Sequence, residues 1–496
     1  MRRRDFCKAT LIASAAAAWP AARLNALSDE SASPSRRDIP AVKLSGEPTV
    51  ISAAAAKSLA TNLHGQLLTA SDKDYEQARR IWNKMIDRRP ALIARCSGAA
   101  DVSRTVAFAR EQELLVAVRG GGHSFPGYSV CNGGLMIDLS AMRSVRVDPI
   151  AKTAQVAGGA WIGDLDWEAQ QYGFATPMGE ISNTGVAGLT LGGGYGWLSR
   201  LYGLACDNLI SVDLVTADAK FHHVSAKDNP ELFWGIHGGG GNFGVVTNFE
   251  YRLHEVGPKV LAGDLVYEPA QARAALEYYG QFLASAPREC SVELTWGAAE
   301  GDAADLTFSV CYIGDPRQGE KVLQPLRSAV KARKDTIRLQ DYLKVQQQYD
   351  GPPLSTHSNY LKGGYVAEMT PALIDALVTD FHPDAVLALE SLHCGGAIAD
   401  VDPTATALGH RKELFQLFAA ASWPDAADNE RNRARVHAEW DKIKRFTSGF
   451  YVNLTDADQK SVDDNYGPNR PRLMALKKQY DPGNLFRLNA NVRPAA

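Results

Sequence analysis

Short apolar runs alternate with helix-like stripes between residues 90 and 253. The runs have the length and composition of strands and cover residues 90–96, 114–118, 135–139, 154–157, 212–216 and 245–253. Residues 101–111 and 161–172 instead place apolar side chains at helical spacing, and Gly173 follows the second stripe where a helix commonly ends. This part of the chain is therefore expected to mix short strands with helices.

The pattern changes after Pro258. Longer helical stripes cover residues 269–284, 316–332, 371–381 and 425–446. Strand-like runs between them cover residues 292–296, 306–312, 385–392 and 414–421. An antiparallel sheet backed by helices is the expected arrangement, and the fold class predicted for the chain is α+β.

The first residues have the pattern of an export signal. Arg3 and Arg4 form a twin-arginine pattern, and the alanine-rich run at residues 9–22 is too short to span a bilayer. We expect a signal peptide over residues 1–27, read by the twin-arginine (Tat) export machinery, and a periplasmic or secreted protein without stable membrane insertion. Residues 28–87 are expected to form a linker and an N-terminal helical region.

Charge and cysteine content exclude several classes of protein. A net charge of −3 provides no basic surface for nucleic acid. Six cysteines remain beyond the signal and none forms a CxxC pair, so no zinc site or other metal site is expected. These cysteines are interpreted as small buried side chains.

Four glycine clusters, at residues 120–122, 185–188, 192–196 and 238–244, indicate close approach to a ligand. Glycine allows the backbone to contact a ligand directly, and successive N–H groups then form concave sites for phosphate. The clusters together favour a large phosphorylated ligand, with a set of tight turns as the alternative.

Two familiar motifs match by their letters but lack the neighbouring residues or elements that their function requires. Gly239-x-Gly241-x-x-Gly244 matches a dinucleotide fingerprint by its letters, but a strand rather than a helix is expected to follow it. The triplet at residues 122–124 resembles a hydrolase nucleophile elbow, but Pro126 occupies the position of the second glycine. An esterase is therefore disfavoured.

Long ordered segments carry a resemblance to a known family. They cover residues 118–128, 137–140, 179–199, 202–209, 241–247, 451–453 and 480–486. From about Pro90 to the C-terminus the chain resembles FAD-linked oxidases of the berberine bridge enzyme-like group, in the vanillyl-alcohol oxidase/p-cresol methylhydroxylase (PCMH) superfamily. The resemblance implies a PCMH-type FAD-binding domain at residues 88–257, completed by residues 448–496, and a substrate-binding domain at residues 258–447.

The resemblance also implies where the cofactor binds. His123 matches the histidine that bonds covalently to the C8 methyl group of the flavin. The other cofactor contacts implied are Arg119, Gly120, Gly121, Gly122, Ser124, Gly185, Val186, Gly188, Gly192, Gly193, Gly194, Tyr195, Gly196, Asp207, Asn208, Gly244, Val246 and Asn489. Many relatives add a cysteinyl link near the position of Ile181, between Glu180 and Ser182, so a single link is expected. Cys131 does not match the linking position.

The activity implied is oxidation of a small molecule at a CH–OH or CH–NH group, with hydride passing to FAD and molecular oxygen giving H₂O₂. Such chemistry usually needs a base. Relatives often carry polar groups at the positions of Phe125, Leu454 and Phe418. The catalytic base of those relatives therefore cannot be assigned to the same positions here. Tyr451 and Asn453 are the first candidates, followed by Tyr360, Lys362, Glu390 and His393, and Trp296 is expected in the pocket or the core.

Three other functions stay open on the sequence. They are a flavin dehydrogenase using another acceptor, a non-catalytic flavin-binding protein and, less favoured, an esterase. Oligosaccharides, aromatic alcohols, amines and polyketide-like molecules all fit the family as substrates.

Overall fold

The structure is a computed structural model that describes residues 37–297 and 304–496. The predicted signal peptide at residues 1–27 lies outside the described residues. None of the described helices is both long and apolar enough to cross a bilayer.

Residues 39–138 form a small lobe around a four-stranded sheet. Its elements are β1 (Ile39–Val42), β2 (Pro48–Ile51), α1 (Ala53–Asn62), β3 (Gln66–Leu68), α2 (Tyr75–Arg79), β4 (Leu92–Arg95), α3 (Ala99–Glu111), β5 (Val116–Arg119) and β6 (Leu135–Asp138). The sheet order is β3-β4-β6-β5, with β4, β6 and β5 parallel. Because parallel strands are covered on both faces, β4 and β6 consist of apolar residues almost throughout.

A five-stranded antiparallel sheet follows in the order β11-β10-β12-β8-β7. Residues 145–255 supply β7 (Val145–Asp148), β8 (Thr153–Ala157), α4 (Ile162–Gln170), β9 (Phe174–Ala175), α5 (Val186–Leu191), α6 (Ser199–Tyr202), β10 (Leu209–Val215), β11 (Phe221–Ser225), α7 (Pro230–Ile236), β12 (Val245–Arg252) and β13 (His254–Glu255). The strand β12 begins directly after Gly244, which confirms that the glycine motif there does not open a helix.

An eight-stranded antiparallel sheet forms the next layer. Its region contains β14 (Lys259–Tyr267), α8 (Ala272–Ser285), β15 (Cys290–Trp296), β16 (Leu306–Tyr312), α9 (Pro316–Ala329), β17 (Lys334–Asp335), β18 (Arg338–Asp341), α10 (Tyr342–Gln346), β19 (Ser358–Val366), α11 (Pro371–Thr379), β20 (Leu387–His393), α12 (Ala397–Asp400), β21 (Phe415–Trp423) and α13 (Asn429–Ile443). The order is β17-β14-β16-β15-β20-β21-β19, with β18 also paired to β14. The expected sheet backed by helices is confirmed, because residues of α8, α11 and α13 share one apolar core with these strands.

The C-terminal helices α14 (Gln459–Tyr466) and α15 (Arg470–Tyr480) return to the first half of the chain. Residues of both helices lie in the same apolar core as β8, β10 and β12. Lys477 and Asp481 form a fully buried ion pair at 2.7 Å. Lys477 also donates to the carbonyl oxygens of Asn242 and Phe486, at 2.7 and 2.9 Å, and so fastens the C-terminal segment to the last glycine loop.

Two parts of the sequence-based description change. The described part of residues 28–87 contains the hairpin β1–β2 and the strand β3 beside its helices. The hairpin is anchored because the N–H of Val42 donates to Gly133 and that of Leu115 donates to Val42. The strands β14 and β19 were not among the expected ones, although each has nine residues.

Candidate active site

A cavity of about 520 Å³ lies between the glycine loops and one face of the large sheet. This volume is within the range of sites for small molecules and cofactors. Glycines at positions 120–122, 185, 188, 240, 241 and 244 line one part of the wall, and residues of β15, β19, β20 and β21 line another. The first wall consists mainly of backbone, while the second presents side chains.

Two of the glycine loops touch each other at Gly121 and Gly185. A Cβ atom on Gly121 would lie 2.3 Å from the Cα of Gly185, and one on Gly185 would lie 2.3 Å from the N of Gly121. Only glycine allows this approach. Among the described residues, the N–H groups of Gly121 and Gly122 donate to no other residue, so they are available to an anion such as a diphosphate.

His123 stands at the wall of the cavity directly after this contact. Its ring stacks on Trp82, with centroids 4.2 Å apart. Its Nε2 is buried and has no hydrogen-bond partner among the described residues. Burial lowers the pKa of His123 to about 4, so the imidazole is neutral at neutral pH. A buried nitrogen without a partner costs free energy, and a ligand that bonds to it removes that cost.

Three glutamates line the cavity from three separate parts of the chain. Glu293 projects from β15, Glu390 projects from β20, and Glu180 precedes α5. The backbone of Glu390 pairs with that of Thr295, so Glu390 and Glu293 project from the same face of the sheet.

The Glu180 and Glu293 carboxyl groups are neighbours in the wall, and each alters the pKa of the other. Burial raises the pKa of Glu180 to about 7, with a further rise from the charge of Glu390 and an opposing effect of the Glu293 hydrogen bond. Burial, together with the nearby Glu180, holds the pKa of Glu293 well above its usual range. At neutral pH the pair therefore keeps one proton and can accept a second.

The segment after α10 holds the loop that carries Glu180. Asp350 accepts a hydrogen bond from the N–H of Ser182 at 2.7 Å, and Asn183 donates to the carbonyl oxygen of Gly351 at 2.8 Å. Tyr349, which lines the cavity, donates to Ser309 at 2.8 Å. These contacts fix the position of Glu180 relative to the sheet.

Comparisons with known proteins agree with this geometry. Residues 90–225 match the family model for an FAD binding domain, and residues 450–493 match the model described as berberine and berberine like. A FAD-linked oxidoreductase of Dictyostelium discoideum is 32% identical over 87% of this chain and 95% of that protein. The (R)-6-hydroxynicotine oxidase of Paenarthrobacter nicotinovorans is 31% identical over 87% of this chain and 97% of that oxidase.

The chain belongs to the berberine bridge enzyme-like family of FAD-linked oxidases. It is therefore an enzyme, an FAD-dependent oxidase. The crystal structure of 6-hydroxy-D-nicotine oxidase from Arthrobacter nicotinovorans has the same fold, with a TM-score of 0.81 and 30% identity over 87% of this chain and 98% of that one.

Part of the cofactor contacts predicted from the sequence line the cavity of this berberine bridge enzyme-like protein. Those that line it are Gly120, Gly121, Gly122, His123, Ser124, Gly185, Gly188, Tyr195, Gly244, Val246 and Asn489. With its glycine contact and its unpartnered imidazole, this wall fits FAD. Within residues 37–297 and 304–496 no group of three or more suitable side chains could hold a metal ion.

The other predicted cofactor contacts lie behind the wall and not on it. They are Arg119, Val186, Gly192, Gly193, Gly194, Gly196, Asp207 and Asn208. Asp207 pairs with the buried Arg411 at 2.7 Å, and Asn208 donates to the carbonyl oxygens of Tyr202 and Leu204. Asp207 and Asn208 are thus engaged with protein groups, and the role of all eight residues in binding the cofactor stays a prediction.

Tyr451 and Asn453 line the cavity, as expected, but both are hydrogen-bonded to the glycine loop. The Tyr451 hydroxyl accepts from the N–H of Gly194 at 3.1 Å and from the Asn453 amide at 2.7 Å. Asn453 also donates to the carbonyl oxygen of Leu189 at 2.9 Å. Burial raises the pKa of Tyr451. A hydroxyl that burial keeps protonated at neutral pH is poorly suited to accept a proton, and its contact with Gly194 supports the loop.

Three other candidate bases are placed elsewhere. Tyr360 lines a neighbouring pocket, where its hydroxyl bonds to Asp456 at 3.1 Å, and Lys362 donates to the carbonyl oxygen of Asp456 at 2.7 Å. His393 is buried, and its Nδ1 accepts from the N–H of Val292 at 3.2 Å. Trp296 belongs to the apolar core of the substrate-binding region.

Sequence reasoning missed Glu180 and Glu293 as functional groups. Glu293 is the one charged residue of β15, a strand whose other residues are apolar or neutral. A carboxyl group in a buried strand is costly and needs a reason. This signal was present in the sequence, whereas the pairing of Glu293 with Glu180 depends on tertiary structure.

Proposed function

We propose that this FAD-dependent oxidase holds its flavin through a covalent bond from His123 and oxidises a small molecule at a CH–OH or CH–NH group. The observation that carries the proposal is the neutral, unpartnered Nε2 of His123 at the wall of the cofactor cavity. When bound, FAD supplies the two-electron acceptor and passes the electrons to O₂.

The pair Glu180 and Glu293 is proposed as the proton acceptor for the substrate. It holds one proton at neutral pH, so it takes up the O–H or N–H proton as hydride leaves the adjacent carbon. Leu361 and Phe418 line the same part of the cavity and exclude water around it. Tyr451 and Asn453 position the glycine loop.

A single covalent link is proposed, because the side chain beside the cavity at position 181 is isoleucine. An aliphatic side chain offers no nucleophile. Among the described residues that line the cavity there is no cysteine, so His123 is the proposed point of attachment.

Acid precipitation tests the link directly. We expect the yellow colour to stay with the pellet of the wild-type protein and to move into the supernatant for His123→Ala. Cys131→Ala is the matched control, since the Cys131 thiol is buried next to this loop and should not affect attachment. Colour that remains in the His123→Ala pellet would show that another residue forms the bond.

Export by the twin-arginine route is proposed on the sequence pattern at residues 3–22. That route carries folded proteins, which suits an enzyme that must bind flavin before export. We expect Arg3→Lys with Arg4→Lys to retain the yellow enzyme inside the cell, while the wild type is recovered from the periplasm or the medium. Equal distribution of the two proteins would contradict the proposal.

A further inference from the structure

The sheet side of the cavity is acidic and contains no cation. Glu180, Glu293 and Glu390 all line it. Among the described residues that line the cavity there is no lysine or arginine, and His123 is neutral. A wall with this composition attracts a positive charge and disfavours an anionic ligand.

Two carboxyl groups in this wall have oxygens that lack a protein partner. Glu390 has neither a hydrogen bond nor an ion pair to any described residue, and Oε1 of Glu180 is buried without a partner. Buried polar atoms are almost always hydrogen-bonded, so the unpaired Oε1 of Glu180 indicates that a ligand supplies a donor there, while the carboxyl group of Glu390 is accessible from the cavity. A protonated amine donates hydrogen bonds and also carries the compensating charge.

We propose that the substrate is a cationic amine, whose protonated nitrogen is held by Glu390 and delivers its proton to the Glu180–Glu293 pair. This inference rests on the proposed function and assigns the CH–NH class to the same site. Glu390 acts in recognition, and the pair acts in proton transfer.

The reaction balances with O₂ as the oxidant. The ammonium group gives one proton to the glutamate pair, and the neutral amine then loses hydride from its α-carbon to the flavin. The nitrogen lone pair forms the C=N bond of an iminium product, which water can hydrolyse. The hydride and the proton from the pair reduce one O₂ to one H₂O₂.

A charged ligand and its neutral isostere test the charge requirement without turnover. Benzyltrimethylammonium and neopentylbenzene have nearly the same shape and differ by one positive charge. Their binding to the flavin-loaded enzyme is followed by the change in visible flavin absorbance. We expect the cation to bind at least roughly tenfold more tightly through its charge alone, since its quaternary nitrogen has no N–H to donate.

Glu390→Gln keeps the shape of the side chain and removes its charge. We expect this variant to lose most of the preference for the cation while its affinity for neopentylbenzene and its flavin spectrum stay unchanged. Glu277→Gln, at an exposed position on α8, is the matched control and should keep the full preference. A second measurement compares oxidation of N-methylbenzylamine with that of benzyl alcohol, for which we expect H₂O₂ from the amine only.

Equal binding of the two isosteres, or an unchanged preference in Glu390→Gln, would overturn the inference. So would a yellow enzyme that oxidises benzyl alcohol but not the amine, and that result would leave the proposed oxidase function standing. A folded protein that never acquires flavin would overturn both proposals together.

Discussion

At the cofactor end of the cavity the wall is backbone, brought close by the contact of Gly121 with Gly185. At the sheet end the wall is three carboxyl side chains. The first end recognises a ligand by N–H groups whose positions follow from consecutive residues. The second recognises it by charges that meet only when separate strands align. Binding of the cofactor and chemistry on the substrate should therefore respond separately to mutation.

The largest expected effect is a loss of turnover rate without a loss of bound flavin. Glu293→Gln removes one member of the pair that accepts the proton while keeping the side-chain shape, and we expect kcat to fall by about 10²- to 10⁴-fold, the usual contribution of a general base. Flavin content should remain that of the wild type. The check is H₂O₂ production under saturating substrate together with the visible spectrum. A variant with normal kcat would remove Glu293 from the chemistry.

A substitution at the cofactor end should instead lower the flavin content of the protein. Gly121→Ala places a Cβ atom 2.3 Å from the Cα of Gly185. Strain of about 1–3 kcal/mol should separate the two loops and lower flavin content about tenfold. The ratio of flavin absorbance to protein absorbance measures the flavin content. Gly483→Ala is the control, since its Cβ would meet nothing within 4 Å. Full flavin content in Gly121→Ala would mean that this contact is dispensable.

The acidic end should also determine the pH dependence. Burial raises the pKa of Glu180 to about 7, so the pair is fully protonated and inactive as a base below that pH. We expect kcat to rise up to about tenfold per pH unit below about pH 7 and then to level off. In Glu180→Gln this rise should be absent from the residual activity. The same profile in both proteins would assign the titration to another group.

The smallest effect concerns stability. A carboxyl pKa raised above its unfolded value of 4.5 makes the folded protein bind more protons, so stability falls as pH rises from about 4.5 through 7. Flavin-free Glu180→Gln should therefore melt a few degrees above the wild type at about pH 8, and the difference should vanish near pH 4. Calorimetry at the two pH values measures it, and a variant less stable at pH 8 would contradict the inferred burial.

The two ends also differ in how far the sequence reveals them. Each glycine loop is a run of neighbouring residues, and His123 directly follows the first of them, so local pattern and family resemblance were enough to predict them. The glutamates were beyond that reasoning, because Glu180 and Glu293 are separated by more than a hundred residues and are joined only by the register of β15 and the path of the segment after α10. The strand β19 escaped prediction for a local reason, since Gly363 and Gly364 interrupt its apolar pattern.

The buried ion pair of Lys477 and Asp481 has a consequence for biosynthesis. It fastens a segment whose residues Phe486, Leu488, Asn489 and Ala490 line the cavity beside the last glycine loop. A ribosome must therefore translate almost the whole message before a flavin has a place to enter. Cofactor loading in this protein is a step that follows synthesis and cannot accompany it.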